Sequence, residues 1–266
     1  MRYSGSKIKF SDEFNSIINN FSEKNYYEPF IGGGAIFANL HQDTIFNSNS
    51  INEYHINDLN IHIMSIWNFI KHIDYSTLDK ISKFIKLEFG DIKTNKESYY
   101  AYREYYNKSY HFTNDIMRGG YLYFLVNSCI NSFARFGPNG FNQSYGNRLY
   151  QIDMEAYNVI QNRLQSTSLT NMSYDEIEYK ENSIIFLDPP YFKRPSSYTS
   201  NFSNEDYIKF VDHIVKLTHN RKVIYTDIED EYADKFFTKR FIRNIKNTAP
   251  SSSGELIGRE VVYTNF

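Results

Sequence analysis

Apolar residues at Phe14, Ile17, Ile18 and Phe21 follow a serine and two early acids in SDEFNSIINNF, and this spacing of three and four predicts a helix opening at Ser11. A short stretch, Tyr26 to Phe30, reads as a strand and leads into Gly32-Gly33-Gly34, after which a helix begins near Ala35. A second strand, Glu53 to Asn57, ends at Asp58, and NIHIMSIWNFIKHI behind it returns to helical spacing. Strand, glycine loop, helix, strand, acid, helix is the opening of a doubly wound α/β domain. From about 75 to 130 the pattern is helical, and the tyrosine-dense stretch YYAYREYYNKSYHF (99–112) shows no strand alternation. Residues 131–152 hold three Gly, one Pro and four Asn, which predicts a long loop or a small hairpin. The α/β pattern then resumes with a helix near 153–165 and strands near 168–172 and 183–187. A helix opens at Ser203 with Asp206 three residues on, and strands follow at 222–227 and 260–266. The expected architecture is α/β, a doubly wound and mostly parallel sheet built from 1–60 and 150–266, interrupted by a helical insertion over 61–149.

Composition narrows the class. The chain has 266 residues, 41% apolar and 18% aromatic, enough for a sizeable core. No apolar run approaches the eighteen residues of a membrane span, and MRYSGSKIKF lacks the apolar segment of a secretory signal. Cys129 stands alone, so neither a disulfide framework nor a cysteine-based zinc cluster can form. A cytoplasmic protein is expected, bacterial or, if phage-encoded, in the host cytoplasm; the abundance of Asn, Ile, Lys, Tyr and Phe points to AT-rich codons. The net charge of −2 is unevenly laid out. Between Ile116 and Ile152 there is no acid but there are Arg118, Arg135 and Arg148, and Lys235, Lys239, Arg240, Arg243 and Lys246 form a second acid-free stretch. Two such patches can hold a polyanion, or each can be an ordinary solvated face.

Three constellations carry chemistry. The loop in YYEPFIGGGAIF lacks the last glycine of Gly-x-Gly-x-x-Gly, because Phe37 stands there. It suits a nucleoside-like ligand without a pyrophosphate, or else a plain tight turn. Asp58, 25 residues beyond Gly33 at the end of the next strand, stands where a carboxylate accepts from ribose hydroxyls, or where an Asp caps a helix. The third constellation is SIIFLDPPYF (183–192), a buried strand stopping at Asp188-Pro189-Pro190-Tyr191. Proline has no N–H, so this turn offers carboxylate and carbonyl acceptors with no competing donor, beside an aromatic face. Two converging acceptors and a flat ring match an exocyclic amine on a heterocycle.

YSGSK (3–7), EPFIGGG (28–34), IND (56–58), YREYYN (102–107), NSFARF (131–136), GFNQSYG (140–146), DPPY (188–191) and the terminal EVVYTNF occur in one order across almost the whole chain. On these motifs the protein resembles the Dam-type DNA adenine-N6 methyltransferases. The resemblance implies a fold of the S-adenosylmethionine-dependent methyltransferase type, S-adenosyl-L-methionine as cofactor, double-stranded DNA as partner, and no metal, membrane or obligate protein partner. It implies catalysis by Asp188, Pro189, Pro190 and Tyr191, with the target adenine flipped out of the duplex. Tyr3, Lys7, Glu28, Phe30, Gly32, Gly34, Asp58, Asp175 and Asp188 would line the cofactor site. The insertion would be the target-recognition element, with a finger loop and DNA contacts from Arg118, Ile130, Asn131, Phe133, Arg135, Asn142, Ser144 and Arg148. Arg135, held by its apolar neighbours Phe133 and Phe136, has a forked guanidinium that suits the O6 and N7 of a guanine, or else a phosphate. Asp as the first residue of DPPY favours adenine over the Asn-Pro-Pro-Tyr enzymes that modify glutamine or RNA and over the Ser-Pro-Pro cytosine-N4 enzymes. The chain departs from the pattern at Gln143-Ser144, where many members have proline, so no target sequence carries over. The alternatives are a cytosine-N4 or RNA-adenine methyltransferase and a catalytically silent nucleic-acid-binding relative; a nicotinamide oxidoreductase lacks its third glycine.

Overall fold

The computed structural model describes residues 7–18, 21–40, 51–109, 114–147, 152–191, 203–246 and 256–266. Its elements run α1 (Ser11–Ile18), β1 (Asn25–Glu28), α2 (Ala35–Asn39), β2 (Glu53–Asn57), α3 (Ile61–His72), α4 (Tyr75–Phe89), α5 (Lys96–Ser109) and α6 (Asp115–Ser128). They continue with β3 (Phe136–Gly137), β4 (Gly140–Phe141), α7 (Met154–Gln165), β5 (Thr167–Thr170), β6 (Ser183–Leu187), α8 (Asn204–Leu217), β7 (Lys222–Ile228), β8 (Thr238–Lys246) and β9 (Leu256–Thr264). The chain divides into two compact units, one of residues 1–19, 31–42 and 57–172, the other of 20–30, 43–56 and 173–266.

In the second unit six strands stand in the order β2-β1-β6-β7-β9-β8. β1 is parallel to β2 and to β6, and β6 is parallel to β7, with Tyr26 opposite Tyr54 and Ile185 opposite Val223. β9 enters antiparallel between β7 and β8. The sheet is thus mostly parallel, as its apolar runs imply. All five residues of SIIFL in β6 are buried, the signature of a strand covered on both faces. α8 starts at the capping box read from the sequence: the Ser203 side chain accepts from the Asp206 amide and Asp206 accepts from the Ser203 amide. Its buried stripe, Phe210, Val211 and Ile214, clusters with Ile185, Leu187, Val223 and Tyr225 of β6 and β7. β8 has no counterpart in the sequence reading, because its basic residues present as a charged patch. Such charges are what a strand at the edge of a sheet carries against unwanted pairing.

In the first unit α3 packs on α6 at close range. A Cβ on Gly119 would lie 1.9 Å from the Ser65 carbonyl oxygen, and one on Gly120 would lie 2.4 Å from the Phe69 ring. Arg163 of α7 is buried and donates to the carbonyls of Phe37 and Leu40, satisfying the end of the short α2. The first helix does begin at Ser11. Its hydroxyl, however, donates back to Ile8 O at 2.7 Å, because a single 3₁₀ turn, Ile8–Phe10, precedes it.

Candidate active site and nucleic-acid interface

The glycine loop belongs to the first unit, and its geometry explains its composition. Gly32 and Gly34 have φ of 45° and 63°, in the region that side chains disfavour. A Cβ on Gly34 would also stand 2.4 Å from Cζ2 of Trp67. Trp67 Nε1 donates to Gly32 O at 3.0 Å, and the Gly32 amide donates to Asp58 Oδ2 at 3.0 Å. Asp58 Oδ1 accepts from the Asn60 amide at 2.9 Å. Burial pushes the Asp58 carboxyl up, and the two amides pull the other way. Asp58 is not the cap of α3: Asn60 is, its side chain accepting from the His62 amide. About half of the carboxylate's four acceptor sites are therefore engaged by the loop, leaving capacity for hydroxyl donors. Leu59 and Ile61 beside it are 71% and 61% exposed, an apolar surface next to a carboxylate that periodicity alone does not single out. Lys7 is buried, and its carbonyl accepts from the Phe10 amide at 2.8 Å. Tyr3 lies outside the described residues.

In the second unit β6 delivers its last residue to Asp188, half-buried, followed by buried Pro189, exposed Pro190 and half-buried Tyr191. Thr226 of β7 donates its hydroxyl to Asp188 Oδ1 at 2.7 Å. The Tyr191 hydroxyl donates to Glu260 Oε1 of β9. Asp227, next to Thr226, is 4% exposed; it accepts from the Ile228 amide at 2.7 Å and from the Tyr225 hydroxyl. Burial, with Asp188 and Asp230 adding to it, pushes the Asp227 carboxyl up to about 7. The carboxyl end of this sheet therefore holds Asp188 with one oxygen anchored beside a second acid that ionises only around neutral pH. Thr226 and Asp227 are absent from the motifs read in sequence, where their signal is YTD closing an apolar strand, and Glu260 opens the terminal EVVYTNF motif, which carries no site assignment there. Glu28, at the end of β1, is buried and accepts from the Tyr26 hydroxyl at 2.6 Å. Phe30 packs on Tyr174 and Phe210, with ring centroids 5.6 and 6.0 Å apart. Asp175 is exposed on the turn Tyr174–Glu176 and accepts from the Ser173 hydroxyl, while Ser173 and Glu176 form the capping box of that turn.

The segment 129–147, again in the first unit, is a finger around the hairpin β3–β4, Phe136 opposite Phe141 and Gly137 opposite Gly140. Burial alternates along it: Ser132, Ala134, Phe141 and Gln143 face inward, while Asn131, Arg135, Asn142 and Ser144 are exposed. Ile130 is 44% exposed and Phe133 half-buried. Asn131 has φ of 58°, tolerated best by Asn after Gly. Arg135 is held by Asn142 rather than by its apolar neighbours: Nε donates to Oδ1 at 2.8 Å and a terminal nitrogen to the Asn142 carbonyl at 3.1 Å. Phe136 stacks instead on His62, centroids 3.5 Å apart and planes within 8°. One stripe of α5 grips the finger's backbone. Tyr99 and Arg103 donate to Gln143 O at 2.8 and 3.0 Å, and Asn107 both donates to Phe141 O and accepts from its amide. Arg118 lies outside the finger, in the first turn of α6, and pairs with Asp115. Arg148 falls outside the described residues. The second basic stretch is largely engaged: Lys239 bridges Glu229 and Asp234, and Arg240 bonds Thr264 and the Phe266 carbonyl. Among the described residues no group of His, Cys, Asp or Glu could hold a metal, and no helix is long and apolar enough to cross a membrane.

Residues 3–249 match the family described as D12 class N6 adenine-specific DNA methyltransferase. The chain is 26% identical over 233 residues to the type II methyltransferase M.MjaIII of Methanocaldococcus jannaschii, covering 82% of this chain and 77% of that one. It is 28% identical over 191 residues to the DNA N-6-adenine-methyltransferase of Escherichia phage P1, covering 69% of this chain but 23% of the phage protein. Among solved structures, the rRNA methyltransferase aviRa of Streptomyces viridochromogenes is similar over 98% of this chain and 85% of its own, at 9% identity and a TM-score of 0.43, too distant a likeness to bear on function. The match over nearly the whole length, on a chain whose DPPY turn ends a buried parallel strand, means that this protein belongs to the D12 class N6 adenine-specific DNA methyltransferase family.

Proposed function

We propose that Asp188 and the Pro189 carbonyl receive the two N–H groups of the target adenine's N6, within a double-stranded site whose adenine is flipped out. The observation that carries this reading is the Thr226 hydroxyl on Asp188 Oδ1, which fixes a carboxylate at the end of a rigid buried strand. The N6 lone pair is delocalised into the adenine ring, and two acceptors on its protons favour the pyramidal nitrogen that can attack. Asp188 then stabilises positive charge developing on that nitrogen, an effect of position and electrostatics. Tyr191 stacks on the extruded base, and Pro190 keeps the turn rigid and free of a backbone donor.

The cofactor is S-adenosylmethionine, which supplies an electrophilic sulfonium methyl when bound. The first unit's donor set fits its nucleoside part: Asp58, with acceptor sites left over, takes the ribose hydroxyls, and the glycines Gly32 and Gly34 keep the backbone clear of side chains. Tyr3, Lys7, Glu28, Phe30, Asp175 and Asp188 take their cofactor assignment from the family motifs. The insertion 61–149 serves as target-recognition element, with 1–60 and 150–266 as catalytic domain. Ile130, Asn131, Phe133, Arg135, Asn142 and Ser144 of the finger, with Arg118 and Arg148, contact DNA. Arg135 reads a guanine edge beside the target, supported by its exposure and by the Asn142 hold on its fork. The enzyme works in the cytoplasm.

Asp188→Ala should abolish transfer of tritiated methyl to duplex DNA while leaving cofactor affinity within about tenfold, about 1.4 kcal/mol. A variant that still methylates adenine would refute the assignment. Transfer by the unsubstituted enzyme to cytosine or to RNA in the same assay would favour the other amino-methylating readings.

A further inference from the structure

The Tyr191 ring is attached to the chain by two single bonds, so on its own it would rotate among several orientations. Here its hydroxyl donates to Glu260, a residue on β9 that the antiparallel register sets between Ile228 of β7 and Arg243 of β8. The tie is therefore anchored in the sheet rather than in the DPPY turn. Tyr191 is surrounded by acids: burial first, then Asp188, Glu260 and Asp227, hold its phenol well above the ordinary value. It thus stays a donor at every working pH, and a donor among acceptors keeps its bond.

We infer that Glu260 is a positioning residue for the methyl transfer, acting through the Tyr191 hydroxyl to hold the ring at one angle as the platform for the target base. This rests on the reading that Asp188–Tyr191 receive that base. The acceptor, not the charge, is what the role requires. Ring orientation matters in the chemical step, where the amine must stay aligned, and less in cofactor binding, so the effect belongs on kcat and not on the KM for S-adenosylmethionine.

Two conservative variants separate acceptor from charge. E260Q keeps an oxygen at the same reach and removes the charge opposite Arg243. E260D keeps that charge and withdraws the acceptor by one methylene. Steady-state kinetics on duplex DNA should find E260Q within about threefold of the parent kcat, and E260D down about tenfold at unchanged KM for the cofactor. In the Y191F background, where no hydroxyl remains to be held, E260D should cost nothing further. Thermal unfolding of each variant checks that it is folded. The inference is overturned if E260D matches the parent, if E260Q falls as far as E260D, or if E260D costs the same with Phe at position 191. Asp188→Ala run alongside keeps the two readings apart. If it is inactive while the Glu260 variants are normal, only the positioning role fails; if it is active, the base-receiving role of the turn fails with it.

Discussion

Asp227 should make the protein less stable as pH rises from about 4 to about 7, and replacing it with Asn should remove that dependence. Its carboxyl is displaced from 3.8 to about 7, chiefly by burial, with Asp188 and Asp230 adding repulsion and the Tyr225 hydroxyl and Ile228 amide opposing the shift. Below pH 4 the carboxyl is protonated in both folded and unfolded chains and contributes no pH dependence. Between about 4 and 7 the unfolded chain ionises while the folded one keeps its proton, so raising the pH favours unfolding. At 1.36 kcal/mol for each pH unit of displacement the loss reaches about 4 kcal/mol near pH 7 and stays constant above it. Asn cannot titrate and is close in shape to the protonated acid. Denaturant unfolding of both proteins at fixed ionic strength, from pH 4.5 to 8, should give a difference curve that climbs in favour of Asp227→Asn up to about pH 7 and then levels off. His55, His62 and His213, whose pKa values burial lowers, add stability that is lost as pH falls, but they are common to both proteins and cancel in the difference. A flat difference curve, or one in which the parent gains on the variant with rising pH, would refute the reasoning.

Gly119→Ala should cost about 3 kcal/mol of stability in chemical denaturation, since its Cβ would meet a backbone carbonyl of α3 at 1.9 Å and only separation of two packed helices relieves that. Asp58→Ala should weaken binding of S-adenosylmethionine by about 1–3 kcal/mol in calorimetry, by losing charge-assisted bonds and loosening the Gly32 amide; equal affinity would remove Asp58 from the cofactor site. Arg135→Ala should cost about 1–3 kcal/mol on the target site, little on random DNA, and relax preference at one position in methylation profiling of a randomised library. A uniform loss on all sequences, with the salt slope down by about one ion, would mean that Arg135 grips phosphate.

What the sequence reveals and what it hides follow from the range of the interactions. β6 and the Ser203 capping box depend on neighbours within a few residues, and the glycine run and Asp58 show as residue types at strand ends, although the contacts of Gly32 with Asp58 and Trp67 span 26 and 35 residues. Thr226 and Glu260 reach the DPPY turn only through strand pairing, across 38 and 69 residues, and no local period records which strands will be neighbours. The hold on Arg135 was misread for the same reason. Phe133 and Phe136 flank it in sequence, but the hairpin turns back and sets Asn142 against it while Phe136 leaves for His62. β8 was hidden by its own edge position, since the charges that protect an edge also break the apolar alternation by which a strand is recognised.

The α5 stripe bears on Gln143-Ser144, where the chain departs from the family's pattern. Tyr99, Arg103 and Asn107 recur every four residues, so they lie on one face over about 12 Å of helix. Their partners are backbone atoms: the carbonyls of Phe141 and Gln143, which every residue type possesses, and the Phe141 amide, which proline alone would lack. Gln143 adds a bond of its own, its buried side chain donating to Ile130 O at 3.1 Å, and the Ser144 carbonyl accepts from the Ile130 amide at 2.9 Å with its side chain turned to solvent. The α5 grip at position 143 falls on a carbonyl and does not depend on the side chain there, while the Gln143 side chain adds a hold of its own. The helix YREYYN and the outward face of the finger are two sides of one arrangement: the helix fixes the main chain, and the residues Asn131, Arg135, Asn142 and Ser144 are exposed on the other side.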